Sequence, residues 1–395
     1  MFLKNLIYKI FILNFLESFI YKLIYKYHMK INIVNLIPKD WLIKDLGNNI
    51  EVTYNLKRGN YNRKPFILPK GINIDKKFFE GLGLFLGDSD LNRKEKNHLT
   101  YTSIDKDIAK QALYFLRYYF LVKLKDITFL VNYRKENNKL KSEWSNYLKV
   151  PTNKILIRYS KRHNNESLQI QVNGVVFRKL FEIIIKKVLS KNILENPDLR
   201  RALLRSLFAA EGNIGIDYKE NYISQICFSL NIKEDYLIKL IQKALELENI
   251  RNRLGIYKKH NNVQIIISNW SNYWKLWKIN LFDICERKKE SFFNIMKNLN
   301  VYLRLGSDFR KKFFNSLNLN QKEIANIIGS WQSNVSKTIV GVHLLRIEQF
   351  LKLLKYSSYR INDIIKNTEE IRISSLTKFE PDYEMLSYFF KIKLF

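Results

Sequence analysis

Residues 81–89 read GLGLFLGDS, and residues 204–212 read LRSLFAAEG. Each stretch has helical apolar spacing and ends on an acid, Asp88 in the first and Glu211 in the second. When the stretches are aligned by their acids, small residues coincide at two places: Gly83 with Ser206, and Gly87 with Ala210. Small residues four positions apart share one helix face, which lets a second backbone approach closely. The pattern predicts two helices packed side by side, with Asp88 and Glu211 brought together at their C-terminal ends.

Two neighbouring carboxylates predict a metal site. They repel each other unless a cation lies between them, and helix C-termini add negative partial charge. Carboxylate and carbonyl oxygens suit Mg²⁺, which takes phosphate oxygens as further ligands and assists hydrolysis. The alternative is a pair of core helices whose terminal acids are solvated. That alternative leaves Gly81, Gly83 and Gly87 unexplained, since each glycine costs about 1 kcal/mol relative to alanine inside a helix.

The element order around the two stretches repeats. In the first half, a helix ending at Asp88 is followed by strand 99–103, helix 105–120, strands 127–134, 155–161 and 167–172, and helix 176–189. In the second half, a helix ending at Glu211 is followed by strand 222–229, helix 233–247, strands 250–257 and 263–268, and helix 270–277. The two acids are 123 residues apart. One such unit needs about 100 residues, so the spacing fits a tandem duplication.

The two motifs at residues 81–89 and 204–212, with the repeat between them, resemble the signature helices of the double-motif LAGLIDADG homing endonucleases. The resemblance implies an α+β fold of two pseudo-twofold αββαββα repeats that form a DNA-binding saddle. It also implies that Asp88 and Glu211 bind the catalytic Mg²⁺. The family uses basic residues near its metals, and Lys161 and Lys259 occupy corresponding places, although solvated basic hairpins explain them equally well. Departures from the family pattern are Ser89 in place of glycine, an extra acid at Asp90, and Arg205 inside the second motif.

Alternating polar and apolar residues in the strands predict a surface that reads DNA. The candidate base-reading residues are Arg158 and Arg162 in the first half and Arg251 and Arg253 in the second. Strands in the major groove can present such side chains to base edges. The alternative is an ordinary half-buried sheet with a polar outer face.

Residues 320–340 have the spacing of a helix-turn-helix. Ala325 allows a close helix crossing, Gly329 permits the turn, and Val335 anchors the second helix. The segment resembles the helix-turn-helix of phage-repressor-type regulators, within a C-terminal region expected to be all-α. That resemblance implies that the start of the second helix faces DNA, namely Trp331, Gln332, Ser333, Asn334 and Lys337. The alternative is a generic helical hairpin.

Composition supports a polyanionic partner. The 395 residues include 68 Lys and Arg against 37 Asp and Glu, a formal net charge of +31. An AT-rich genome would enrich lysine, but it does not explain the shortage of acids. Two cysteines are too few for a disulfide framework or a zinc site, which favours an intracellular protein, cytoplasmic or organellar. Charges interrupt the apolar pattern of residues 1–28, so no membrane span is expected there, but an amphipathic helix or an early start codon fits.

These patterns predict five segments: the N-terminal helix 1–28, a β-rich extension 29–72, repeats 73–192 and 193–304, and a helix-turn-helix domain 305–395. The leading hypothesis is a monomeric, intron-encoded, site-specific endonuclease that makes Mg²⁺-dependent double-strand breaks in DNA. Two alternatives remain. One is a regulator that binds DNA without cutting it, and the other is a maturase that binds its own intron RNA.

Overall fold

The computed structural model describes residues 29–54, 64–91, 97–134, 139–160, 166–190, 192–217, 222–373, 377–379 and 382–394. The chain forms two compact units, Met1–Ala210 and Glu211–Phe395. Both units combine helices with sheets, so the predicted α+β class is confirmed. The helix predicted at residues 1–28 lies outside the described residues. Within the described part of the chain, no helix is long and apolar enough to span a membrane.

The N-terminal part of the first unit consists of short strands. β1 (Met29–Asn32) pairs with β5 (Gly71–Ile74). A separate antiparallel sheet contains β2 (Trp41–Leu46), β3 (Asn49–Tyr54) and β4 (Phe66–Pro69). Gly47 turns the β2–β3 hairpin with a φ of 77°, which suits glycine. The ring of Phe66 lies 4.7 Å from that of Phe177. This contact ties the N-terminal strands to the larger sheet domain that follows them.

A four-stranded sheet with helices on one face forms the rest of the first unit. In chain order its elements are α1 (Lys76–Asp88), β6 (His98–Ser103), α2 (Lys106–Tyr119), β7 (Ile127–Tyr133), α3 (Leu140–Leu148), β8 (Ile155–Tyr159), β9 (Ser167–Asn173), α4 (Val175–Leu189) and α5 (Pro197–Glu211). The strand order is β6-β9-β7-β8. Alternate residues face the helices and are buried, among them Leu99, Tyr101, Phe129, Val131, Leu168 and Ile170. The other face of the sheet carries the polar residues.

The helix α3 departs from the predicted order, which has only strands between residues 127 and 161. β7 and β8 run parallel. Parallel neighbours need a crossover connection, and α3 provides it. The other strand pairs of this sheet are antiparallel. Leu140, Trp144 and Leu148 form the buried face of α3. Their i, i+4 spacing was a helical signal in the sequence, but it covers only two turns.

The second unit begins with an antiparallel sheet. Its elements are β10 (Gly212–Asp217), β11 (Tyr222–Asn231), α6 (Asp235–Leu247), β12 (Arg253–Tyr257), β13 (Asn262–Ile267), α7 (Trp270–Lys278) and α8 (Glu286–Asn298). The strand order is β10-β11-β13-β12. β10 was not predicted, since its two glycines, Asn213 and Asp217 all disfavour a strand. Pairing with β11 overrides that local preference.

The C-terminal part of the second unit contains a sheet, so the predicted all-α domain is wrong. Its elements are β14 (Val301–Leu305), α9 (Ser307–Ser316), α10 (Gln321–Ile328), α11 (Gln332–Ile339), β15 (Leu345–Arg346), α12 (Ile347–Leu353), α13 (Ile361–Lys366), β16 (Thr368–Ile373), β17 (Thr377–Phe379) and α14 (Tyr383–Lys393). The strand order is β15-β14-β16-β17. β14 pairs with β16, and more than 60 residues of chain separate them. Val301, Leu303 and Leu305 of β14 alternate with more polar residues, but this strand signal covers only five residues.

Candidate nucleic-acid interface and metal site

The two motif helices, α1 and α5, are in close contact at Gly83. A methyl group on Gly83 would overlap the Ser206 hydroxyl and lie 2.9 Å from the Ser206 Cβ and 3.1 Å from the carbonyl oxygen of Leu203. Real Cβ atoms do not approach backbone and side chains so closely from several sides. Gly83 and Ser206 are 123 residues apart, the same separation as Asp88 and Glu211. Glycine at position 83 is therefore required for the backbones to approach as they do. The roles of Gly87 and Ala210 stay predictions.

Polar contacts along this seam show that the helices run parallel. Lys76, at the start of α1, lies 3.1 Å from Asp198 at the start of α5. Further along, Arg205 donates to the Glu80 carboxylate at 2.8 Å, with both side chains mostly buried. The Ser206 hydroxyl lies 3.2 Å from the Phe79 carbonyl. Arg205, which departs from the family pattern, thus has a structural partner across the seam.

Asp88 is the last residue of α1 and leads directly onto the sheet. The hydroxyl of Ser89 donates to the Phe85 carbonyl and closes the helix. Ser89 then pairs with Tyr101 of β6. Burial, together with the negative charge of Asp88, raises the pKa of Tyr101 well above its ordinary value. The helix end therefore holds the Asp88 charge close to the first sheet.

Asp90 has a structural role. It is 8% exposed and accepts a hydrogen bond from the Thr100 amide at 2.9 Å. The buried guanidinium of Arg178 lies 3.7 Å from the Asp90 carboxylate and donates to the carbonyls of His98 and Asp90. Arg178 carries no motif in the sequence; the only signal is an arginine inside the apolar run of α4, with Glu182 four residues later.

An open cleft of about 320 Å³ surrounds Asp88. Its lining residues are Gly87, Asp88, Ser89, Asp90, Thr100, Thr102 and Gln169. The Thr100 hydroxyl is buried and has no hydrogen-bond partner among the described residues. These oxygen donors are of the kind that Mg²⁺ prefers. The described residues contain no group of three or more His, Cys, Asp or Glu placed to hold a metal, but Mg²⁺ is commonly held by one or two carboxylates and substrate phosphates.

The polar face of the first sheet continues from this cleft. It carries short hydrogen-bonding side chains on β6, β7 and β9, namely Thr100, Thr102, Thr128, Asn132, Gln169 and Gln171, by alternation with the buried residues. Arg158 of β8 is in register with Asn132 and donates to its side-chain oxygen at 2.9 Å. Arg158 therefore lies on the polar face. Lys161 and Arg162 lie outside the described residues.

The second sheet has a similar polar face. Gln264 of β13 donates to the Ser229 hydroxyl at 3.4 Å. By the register of the strands, Arg253 of β12 lies on the same face of the sheet as Gln264. Arg251 precedes β12, and its backbone is held by the buried amide of Asn272. Lys259 is exposed in the short turn between β12 and β13. Glu211 ends α5 and is followed at once by β10.

The predicted helix-turn-helix segment contains two eight-residue helices. Asn320 and Glu323 form a capping box at the start of α10, and Gly329 ends that helix with a φ of 64°. The buried residues are Ile324, Ala325 and Ile328 in α10, and Val335 and Thr338 in α11. At the start of α11, Trp331 is 79% exposed; Gln332, Ser333 and Lys337 are exposed, and Asn334 is half-buried. These side chains are available to a partner.

Comparison with known proteins gives partial structural likenesses. No family model and no curated protein matches the chain. The solved structures that resemble it include full-length DUF199/WhiA from Thermatoga maritima, at 13% identity over 81% of this chain and 90% of that one, with a TM-score of 0.34. The N-terminal LAGLIDADG domain of DUF199/WhiA has 13% identity over 56% and 86%, with a TM-score of 0.34. I-DmoI in complex with DNA and Mn has 12% identity over 52% and 96%, with a TM-score of 0.31.

Proposed function

We propose that this protein binds duplex DNA with the polar faces of its sheets and hydrolyses the DNA at a Mg²⁺ site that uses Asp88 and Glu211. The observation that carries the proposal is the cleft around Asp88, which opens beside the polar residues of the first sheet. A carboxylate next to a row of hydrogen-bonding side chains is the arrangement needed to cut a strand whose bases are read nearby.

Asp88 supplies the anionic ligand, and the hydroxyls of Thr100 and Thr102 supply neutral oxygens in the same cleft. Glu211 has the equivalent position at the end of the second motif helix, and its role as a ligand follows from the repeat. Asp88 and Glu211 would hold a Mg²⁺ ion, which would supply stabilisation of the negative charge that develops during phosphodiester hydrolysis. The packing of Gly83 against Ser206 supports this assignment, because it holds the two motif helices in a matched frame.

DNA binding is assigned to the two polar faces and to α11. Gln169, Gln171, Arg158 and Arg253 have side chains that can donate to base edges in the major groove. The net charge of +31 favours the phosphate backbone and makes affinity depend steeply on salt. The exposed start of α11, beginning at Trp331, would add a second contact with the duplex.

The test separates cutting from binding. Duplex fragments that the full chain retains from a random library serve as probes, and the same fragments are incubated with Mg²⁺ or with EDTA. We expect double-strand cleavage in the presence of Mg²⁺ and no cleavage in the presence of EDTA. Asp88→Asn and Glu211→Gln should each reduce the rate by on the order of a hundredfold or more, because each removes a metal ligand. DNA affinity measured without metal should change by less than about threefold, since the metal-free complex rests on the sheet contacts.

Glu246→Gln is the matched control, since this exposed acid lies on the outer face of α6. It should cut DNA at the wild-type rate. A wild-type protein that binds the selected duplex but does not cut it with Mg²⁺ or Mn²⁺ would establish the regulator instead. If no duplex is retained at all, both proposals fail and the maturase hypothesis remains.

A further inference from the structure

The outer face of α2 carries two exposed aromatic rings. Tyr114 is 44% exposed and Tyr118 is 60% exposed. Their ring centroids are 5.1 Å apart, and the ring planes are nearly parallel at 13°. Two stacked tyrosines so open to solvent leave ring faces available for a further planar group. Tyr118 keeps more than half of its surface outside the protein core.

Lysines extend the same face of α2 and reach the rings of α3. Lys106 and Lys110 precede the tyrosines at four-residue spacing, so all four side chains share one helix face. The ammonium of Lys110 lies 5.4 Å from the ring centre of Tyr147, which is 39% exposed. The ammonium of Lys106 lies 5.5 Å from the ring of Trp144, which is buried, and 3.4 Å from the carboxylate of Glu143. Lys110 therefore lies between the exposed ring of Tyr147 and the tyrosine-bearing face of α2.

This surface is separate from the polar face of the first sheet. The opposite side of α2 is buried against the sheet through residues such as Ile108, Ala112 and Phe115. The tyrosines consequently point away from the sheet, whereas the cleft around Asp88 opens on its polar face. A ligand on the tyrosines does not compete for the residues assigned to duplex DNA.

We propose that this tyrosine surface, made of Lys106, Lys110, Tyr114, Tyr118 and Tyr147, binds single-stranded RNA. Aromatic rings stack on unpaired bases, and the neighbouring ammonium groups neutralise phosphates. Duplex DNA hides its base faces, so it cannot use the rings. RNA exposes unpaired bases in its loops and is recognised in this way by aromatic side chains. The excess of basic residues in the chain favours such a polyanion over a protein partner.

The test measures binding of the full chain to a fluorescent, unstructured 12-nucleotide RNA by anisotropy. Single-stranded DNA of the same sequence and a duplex DNA of the same length are run in parallel. Tyr114→Ala with Tyr118→Ala should weaken RNA binding by roughly tenfold or more, because two stacking surfaces are lost. Tyr114→Phe with Tyr118→Phe should bind within about twofold of wild type, because phenylalanine stacks equally well. Duplex binding should be unchanged in all of these variants.

Tyr236→Ala is the matched control, since Tyr236 is 56% exposed on α6 in the second unit. It should leave RNA binding unchanged. The proposal would be overturned if the double alanine variant bound RNA as tightly as the wild type. It would also be overturned if the double phenylalanine variant lost RNA binding. Equal or tighter binding of the single-stranded DNA would overturn the assignment to RNA. The duplex measurement keeps this result distinct from failure of the proposed nuclease.

Discussion

Gly83→Ala is the sharpest test of the seam between the motif helices. The substitution adds one methyl group at a point where the Ser206 side chain and the Leu203 carbonyl leave no room. Two effects oppose each other. Alanine favours a helix over glycine by about 1 kcal/mol. Overpacking a filled site costs about 1–3 kcal/mol.

The contacts around Gly83 indicate that Gly83→Ala lowers the free energy of unfolding. The Ser206 hydroxyl could turn away, but the Ser206 Cβ at 2.9 Å and the Leu203 carbonyl at 3.1 Å move only if α5 moves. The overpacking cost should therefore fall toward the upper end of its range. We expect a net loss of roughly 1–2 kcal/mol in the free energy of unfolding of the first unit.

A double-mutant cycle isolates the contact. Ser206→Gly removes the hydroxyl and Cβ that the new methyl group would meet but leaves the Leu203 carbonyl, so Gly83→Ala should cost less in the Ser206→Gly background than in the wild type. Thermal unfolding followed by circular dichroism is a suitable measurement, with a change in Tm of about 2–4 °C for each kcal/mol in a unit of this size. A Gly83→Ala protein as stable as wild type, or an equal cost of Gly83→Ala in both backgrounds, would refute the close packing of these helices.

Two further predictions concern buried groups. Arg178→Met should destabilise the first unit by about 3–5 kcal/mol, because the buried Asp90 loses its counter-charge. Adding Asp90→Asn should restore part of the loss in chemical unfolding, and equal stability of Arg178→Met and wild type would contradict this role. Burial beside Trp274 and Trp277 raises the pKa of Tyr388 to about 12. Because the unfolded chain releases this proton near pH 10, the stability that Tyr388 contributes is lost between about pH 10 and 12. The Tm of Tyr388→Phe should therefore fall less than that of wild type over this range, and a constant difference would count against it.

Much of the helical structure could be predicted because its signals are local. The helix from Lys106 to Tyr119 was expected at 105–120, and the helix ending at Glu211 was expected from its apolar spacing. Such helices show their buried face within a few turns of sequence. β10 gave no comparable signal, and β14 shows an alternation of only five residues. Each becomes a strand through pairing with another segment, β10 with β11 and β14 with β16.

The candidate site was only partly visible in the sequence. The acid at position 88 was identified because a repeated motif marks it. Thr100, Thr102 and Gln169 line the same cleft but carry no motif, since threonine and glutamine are ordinary strand residues on a polar face. The role of Asp90 was likewise hidden, because its partner Arg178 is 88 residues away in the chain.

By itself, the sequence determined the paired motif helices, their 123-residue frame and the basic character of the chain, because helix faces and net charge are read from residue type and short spacing. Only the tertiary structure decided which strands pair, that β7 and β8 run parallel, and which neutral side chains surround Asp88. Those features depend on contacts between distant segments, and a strand's period of two shows which residues share a face but not which strand lies beside it.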